Sequence, residues 1–403
     1  MPPLDASVHA VPKTFSWRLL ALLLFARTAL DTGFRAVYPF LPFIASNLGV
    51  SVAGAAQIVQ ARNLLGFAAP LFGPLTDRYG RRVMMLAGLA IMAATGLLLY
   101  FVTSLWMAIV VMTLMGLSSI LYVPAQQAYL GDQVPYARRG RIMAIAEIAW
   151  SLAAIIGLPL MGFVVQTRGW RASFVAVGMV ALGALALLWF ALPRDKPNAS
   201  HAARAMGKAY WEALRAPMAL AVIVTTFLSA AMNENINIVF ADWLNRAFGM
   251  DAVALGIVAA AIGGAEFVAQ MMVALFVDRI GKWKMVAGGL VLGVGAYLLL
   301  PLLGATAWSG GAGVVLTFFA FELTIVAALP LITEIAPNAR ATLLSLGVAG
   351  FSLGRAAGSF IGPLVYARFG FGVASFVSAS GILLACVIWF MFVREKQAEV
   401  IAT

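Results

Sequence analysis

Gly73-Pro74-Leu75-Thr76-Asp77-Arg78-Tyr79-Gly80-Arg81-Arg82 follows one long apolar segment and precedes another. The same frame returns 201 residues later as Ala274-Leu275-Phe276-Val277-Asp278-Arg279-Ile280-Gly281-Lys282-Trp283. Asp-Arg-x-Gly-basic between two apolar runs belongs in a tight turn at a membrane surface, with Gly for the turn and cations for anionic headgroups. Two further matches keep nearly the same period: Pro135 with Arg138 against Pro337 with Arg340, and Ala172-Ser173-Phe174 against Ala374-Ser375-Phe376, both at 202. Three matches at one period predict a duplicated membrane protein, its halves related by an axis along the membrane normal.

Composition agrees. Of 403 residues, 63% are hydrophobic and 11% charged, with a mean hydropathy of +0.96, where soluble domains carry about 25% charged residues. Twelve apolar runs reach the roughly 17 to 25 residues that span a bilayer, near 17–45, 53–76, 83–103, 105–130, 142–166, 172–192, 217–241, 252–277, 285–303, 311–333, 341–366 and 372–393. The predicted fold class is an all-α membrane protein with 12 transmembrane helices in two pseudo-symmetric six-helix bundles. Residues 1–16 read as a cytoplasmic N-terminal segment, 17–192 as the first bundle, 193–216 as a polar linker, 217–393 as the second bundle and 394–403 as a cytoplasmic tail.

A net charge of +11 would suit nucleic acid in a soluble chain, but its placement excludes that partner. Nineteen Lys and Arg fall in loops on the side of the N-terminus and four (Arg168, Arg171, Arg246, Arg368) on the other. The positive-inside rule therefore puts both termini in the cytoplasm. The last four cations, Arg27, Arg35, Arg62 and Arg355, lie inside spans. Cys386 is the single cysteine, so an internal disulfide is excluded, and His9 and His201 both fall in polar segments. No metal site, cofactor or catalytic Ser-His pair is expected, and no Gly-x-x-x-x-Gly-Lys-Ser/Thr loop occurs for a nucleotide. The first apolar run reads as a retained helix. Short loops and the lack of an organellar presequence point to a bacterial inner membrane, where the chain is expected to sit in lipid as a monomer.

Twelve spans in a six-plus-six arrangement, a basic central loop, and Gly-x-Leu-x-Asp-Arg-x-Gly-Arg-Arg between spans two and three resemble the major facilitator superfamily, whose hallmark loop this is. The first copy matches at Gly73, Leu75, Asp77, Arg78, Gly80, Arg81 and Arg82. The second keeps Asp278, Arg279 and Gly281 but has Ala274 for Gly and Trp283 for a cation. The resemblance covers essentially the whole chain and implies that family's fold. It also implies that the loop latches the halves on the cytoplasmic side when the cavity faces outward, with Asp77 and Arg81 as latch residues and Asp132 as a partner for Arg81 or Arg78. The twelve-helix drug/proton antiporter branch carries Gly-Pro-x-x-Gly-Gly in span five. Gly157, Pro159 and Gly162 match it in part, Leu158 and Met161 interrupting. That branch also has an Arg four residues before a Gly in span four, where Gly116 is here preceded by Met112. Arg62 or Arg35 remain as substitutes.

Eight charges lie near predicted midplanes: Arg27, Asp31, Arg35, Arg62, Glu234, Glu266, Glu322 and Arg355. Facing lipid, they would cost on the order of 20 kcal/mol or more, above the whole net stability of a typical domain. Four cations and four carboxylates predict an internally paired polar cavity. Arg27, Asp31 and Arg35 are spaced i, i+4, i+8 and form one stripe, an intrahelical ladder or a cavity wall. Glu234 lies among Asn233, Asn235 and Asn237, whose amides can orient it or donate to substrate. Glu266 follows Gly263 and Gly264 and is expected to line a ligand path or to pair with Arg62 or Arg355. Glu322, among Phe318, Phe319 and Phe321, suits either a proton carrier or a permanently neutral, hydrogen-bonded acid. Glu147 is expected to pair with Arg141. Arg355 sits in the ladder Gly350, Gly354, Gly358, Gly362, a smooth face for packing or sliding.

The reading that follows is a proton-coupled secondary transporter, exporting a small organic or amphipathic compound between the halves, with protons carried on carboxylates. Tyr38, Phe40, Tyr122, Trp150 and Trp243 are the expected apolar wall. The alternatives are a symporter importing an organic anion through an Arg35, Arg62, Arg355 clamp, and a non-transporting receptor on the same fold.

Overall fold

The computed structural model describes residues 16–66, 78–134, 136–193, 217–335 and 340–393. Gly73 and Asp77 lie outside the described residues, as do the expected terminal segments and linker, apart from Ser16 and Pro193. Among the described residues every regular element is helical: α1 (Trp17–Leu48), α2 (Val52–Leu65), α3 (Arg81–Leu98), α4 (Leu105–Gln133), α5 (Tyr136–Leu152), α6 (Leu158–Arg168), α7 (Trp170–Ala191), α8 (Pro217–Asn237), α9 (Phe240–Phe248), α10 (Ala252–Ile280), α11 (Lys282–Leu303), α12 (Ala307–Ile335) and α13 (Arg340–Phe392). Nine helical segments among them are long and apolar enough to cross a membrane. α13 reverses at Gly370 (φ 84°) and supplies two spans. α1 has the length but carries Arg27, Asp31 and Arg35, and the described part of α2 is 14 residues. These bring the architecture to the predicted twelve helices of an integral, multi-pass protein.

The duplication is written in the backbone. All positive-φ residues described are glycines, and they pair between the halves: Gly49 (67°) with Gly249 (66°), Gly80 (90°) with Gly281 (92°), and Gly169 (85°) with Gly370 (84°). Each is a reversal that an L side chain would strain. Capping repeats as well, since Ser51 accepts from Gly54 N at the start of α2 and Asp251 from Ala254 N at the start of α10; both satisfy a backbone donor the helix leaves free.

Interruptions have local causes. Span five is α5, a π-helical turn over Ala153–Gly157, and α6 with Pro159 in its first turn; a proline without an N–H is at home there and disrupts the ladder before it. Span seven breaks between α8 and α9 just past Glu234 and Asn237. Glycines let helices meet backbone to backbone. A Cβ on Gly350, Gly354, Gly358 or Gly362 would strike α8 at Ile223, Phe227, Ala231 or Asn235, so this ladder packs within the second half. At the other contact, Gly162 meets the Ala252 carbonyl, Gly256 the backbone of Leu158 and Pro159, and Gly263 Ala154. These three close α5–α6 onto α10 at one end of the molecule. Large apolar side chains such as Phe190 and Leu302 face outward, 87% and 75% exposed.

Candidate functional site

A cavity of about 1250 Å³ separates the two sets of helices. Its walls come from α1, α4 and α5–α6 on one side and α8–α10, α12 and α13 on the other. It ends at the glycine seam of α6 and α10. Its mouth lies among Arg141, Val277 and Pro330, at the end that carries the doubled loop.

The intramembrane charges gather in three clusters in or behind its wall: Arg35, Glu147, Glu266, Glu322 and Arg355 line it, whereas Arg27, Asp31, Arg62 and Glu234 are not among its lining residues. On α1, Arg27 holds Asp31 one turn on at 3.3 Å and clasps both oxygens of Glu147 at 2.9 and 2.7 Å, to which Gln127 also donates at 2.9 Å. Glu147 therefore pairs with Arg27 and not with Arg141, because α5 turns its cavity face toward α1. Next, Arg35 donates to Glu266 Oε2 at 2.7 Å; Trp150 Nε1 donates to the same oxygen at 3.1 Å and carries the guanidinium 4.4 Å above its ring. Glu266 thus pairs with Arg35, not with Arg62 or Arg355.

The third cluster is a hub. Glu234, 0% exposed, accepts from Tyr38 at 2.8 Å and Asn63 at 3.0 Å on one oxygen. Its other oxygen accepts from Arg355 at 2.7 Å and Asn237 at 3.3 Å. Arg355 also donates to the Tyr38 hydroxyl. A buried charge is tolerated only when its lone pairs are satisfied, and four helices supply that here.

Two charges stay outside this pairing. Arg62, 4% exposed, makes no ion pair among the described residues: it donates to the Phe34 carbonyl at 2.6 Å, stacks 3.9 Å over the Phe34 ring, and leaves Nε and Nη2 without a partner. Its stem fills the space where a Cβ of Gly116 would go. Among the described residues, Glu322 accepts only from Gln270, at 2.8 Å. The balanced pairing of four with four is therefore corrected by Glu147, which takes Arg27. Tyr38 and Trp150 line the cavity as expected, but Phe40 and Tyr122 are fully buried in the core and Trp243 stacks on Phe371 at 3.8 Å.

In the loop motif, Arg81 pairs with Asp132 at 3.1 Å, Arg78 lies 5.5 Å over Tyr79, and Asp278 and Arg279 are exposed at the end of α10. Sequence reasoning missed Asn63 and Gln127. Both are neutral amides in apolar runs; the only signal was the adjacency of Asn63 to Arg62.

What this arrangement can do follows from who holds whom. Arg35–Glu266, Trp150–Glu266, Tyr38–Glu234 and Asn63–Glu234 each join α1–α7 to α8–α13. These four contacts are the charged and hydrogen-bonded ties of Glu266 and Glu234 to the first set of helices.

The sequence profile described as Major Facilitator Superfamily matches residues 23–321 and 222–402. The chain belongs to the Major Facilitator Superfamily. It is therefore a transporter of small molecules and not an enzyme. Among its relatives, the Multidrug resistance protein MdtG of Proteus mirabilis is 23% identical over 96% of this chain and 99% of that one. The Multi-drug resistance efflux pump PmrA of Streptococcus pneumoniae is 24% identical over 87% and 90%. In fold, the chain resembles a D-xylose-proton symporter with a TM-score of 0.75 at 16% identity, over 94% of this chain and 99% of that one.

Proposed function

We propose that this superfamily member is a proton-coupled exporter of small organic or amphipathic compounds, captured with its cavity open to the cytoplasm. The single observation that carries the coupling is the Arg35–Glu266 pair with Trp150 (2.7 and 3.1 Å) in the cavity wall, a carboxylate held by the opposite half and within reach of the cavity. Export is supported by relatives named for multidrug resistance and efflux. Import of an organic anion is disfavoured because Arg35 and Arg355 are committed to Glu266 and Glu234 and Arg62 is buried behind Phe34. The cytoplasmic direction of the mouth rests on the positive-inside count of basic loops.

In this reading, residues 17–192 and 217–393 are the moving bundles and the chain works as a monomer in a bacterial inner membrane. Substrate enters the cavity as Glu266 or a neighbouring acid releases its proton to the cytoplasm. The bundles then rock about the fixed site, parting the glycine seam and closing the mouth, where Asp77 and Arg81 latch. Asp31, Glu234 and Glu322 are the further acids of the pathway; Arg27, Arg62, Asn237 and Arg355 orient them.

The test is transport of a compound panel in proteoliposomes under imposed pH gradients of both signs. Wild type is expected to move substrate against the proton flow, and Glu266→Gln to lose the dependence on the gradient. Movement of substrate together with protons would reject export by antiport.

A further inference from the structure

Tyr122 and Tyr297 are each buried in the core of one half, 0% and 2% exposed, and their hydroxyls end differently. Tyr122, in the first half, donates to the Leu23 carbonyl at 3.1 Å. Tyr297, on α11 in the second half, has Asn233 and Thr317 beside its hydroxyl. Yet Thr317 gives its proton to the Val314 carbonyl at 2.7 Å, and among the described residues no hydrogen bond of normal geometry reaches the phenol. A buried tyrosine hydroxyl usually finds a partner. Ser229 on α8 is in the same position. Thr226 and Thr324 turn their hydroxyls back onto the carbonyls of Val222 and Ala320, both at 2.9 Å, as such residues do inside helices, but Ser229 Oγ makes no such bond.

The two unpartnered hydroxyls line one pocket of about 10 Å³ in the core of the second half, between α8, α11, α12 and α13. That is room for about one water and for nothing larger. Thr324 lines it too, and with its proton given to Ala320 its oxygen still accepts. Among the described residues the lining carries no carboxylate and no cation, so the ligand is neutral. Gly293 opens the space: a Cβ there would meet Ile382 at 3.4 Å and Ala320 at 3.9 Å, both walls of the pocket. Phe321 lines this pocket and the central cavity alike, so a single side chain stands between the two.

We propose that Ser229, Tyr297 and Thr324 hold one ordered water inside the second half, taken up from the central cavity past Phe321. The water supplies the hydrogen bonds that the serine and the phenol otherwise lack and joins α8 to α11. It does so little more than one turn before Glu234, and thereby fixes the helix that carries the hub. The site depends on neither the direction nor the coupling of transport.

Radiolytic hydroxyl labelling of purified full-length protein in nanodiscs tests it, because radicals formed from a bound water oxidise the side chains that hold it, however deeply buried. Tyr297 is expected to be labelled at least fivefold faster than the equally buried Tyr122. Gly293→Ala puts a methyl group into the pocket and is an easy exchange within a helix. It should slow Tyr297 labelling at least fivefold, while Tyr79, 49% exposed, is labelled as before. Ser229→Ala leaves the pocket open but removes one partner, and should slow Tyr297 severalfold; it decides the matter if the Gly293 variant does not fold. Tyr297 labelled no faster than Tyr122 in wild type, or labelled at the wild-type rate in monodisperse Gly293→Ala or Ser229→Ala protein, overturns the proposal.

Discussion

The two halves of the molecule repeat their turns but not their charges. Gly49, Gly80 and Gly169 recur as Gly249, Gly281 and Gly370 with φ values within a few degrees, and Ser51 recurs as the capping Asp251. At the 200-residue offset that Gly49/Gly249 and Ser51/Asp251 set for these spans, Arg27 corresponds to Phe227, Asp31 to Ala231, Arg35 to Asn235, Arg62 to Ile262, Glu234 to Phe34 and Glu266 to Gly66. A reversal between two packed helices imposes the same backbone demand in either half. A carboxylate placed at both equivalent positions would meet itself across the axis, and like charges at close range repel. The scaffold is therefore copied, and the site is built from what the halves do not share: Glu266 and Glu234 take donors from the first half, whereas Asp31 and Glu147 are held by Arg27 inside the first half and Glu322 by Gln270 inside the second.

The largest expected effect breaks that asymmetry at the hub. Arg355→Ala strands the fully buried Glu234 and should cost about 3–5 kcal/mol, read as a lowered unfolding midpoint in detergent. Arg355→Met with Glu234→Leu should recover most of it. A single substitution without effect would mean that the unshared charges are not integrated into the fold.

Next comes the seam. Gly162→Leu drives a side chain into the Ala252 carbonyl, an overpacking cost of about 1–3 kcal/mol that falls only on the state in which the halves touch there. It should shift the population toward the opposite opening by about 5–150-fold, seen in spin-label distances. Gly358→Leu, which strikes α8 within the second half, should lower stability without that shift.

Gly49→Ala and Gly249→Ala sharpen the repeated side of the comparison. Each forces a side chain into the left-handed region and should cost about 1–2 kcal/mol, equally in the two halves, by chemical denaturation. The smallest effect belongs to the loop. Asp132, 58% exposed beside Arg81, is expected to contribute less than about 1 kcal/mol, so Asp132→Asn should leave the unfolding midpoint nearly unchanged.

Much of the fold was legible in the chain because a bilayer demands long apolar runs and a duplicated turn keeps its Gly at a fixed period. The presence of a buried ionic site was legible for the same reason, since charges such as Asp31 and Glu266 cannot face acyl chains. Who pairs with whom was not. Closeness in sequence suggests Arg141 for Glu147, but the two stand six residues apart on one α-helix, which puts them on different faces, and the face of Glu147 meets Arg27. The Gly350–Gly362 ladder read equally well as a sliding surface, and only the approach of α8 shows it to be packing inside one half. Asn63 escaped notice because an amide in an apolar run carries no charge to explain.

The claim beneath all of this is that the seam and the mouth are two ends of one moving interface. With Cys386 replaced by Ala, spin labels at positions 166 and 251 report the seam, where Gln166 accepts from Ala252 N, and labels at 141 and 329 report the mouth. Electron–electron distance measurements in nanodiscs across a pH series should show the two distances changing in opposite directions, one lengthening as the other shortens. Two distances that move together, or that both stay fixed while transport proceeds, would contradict it.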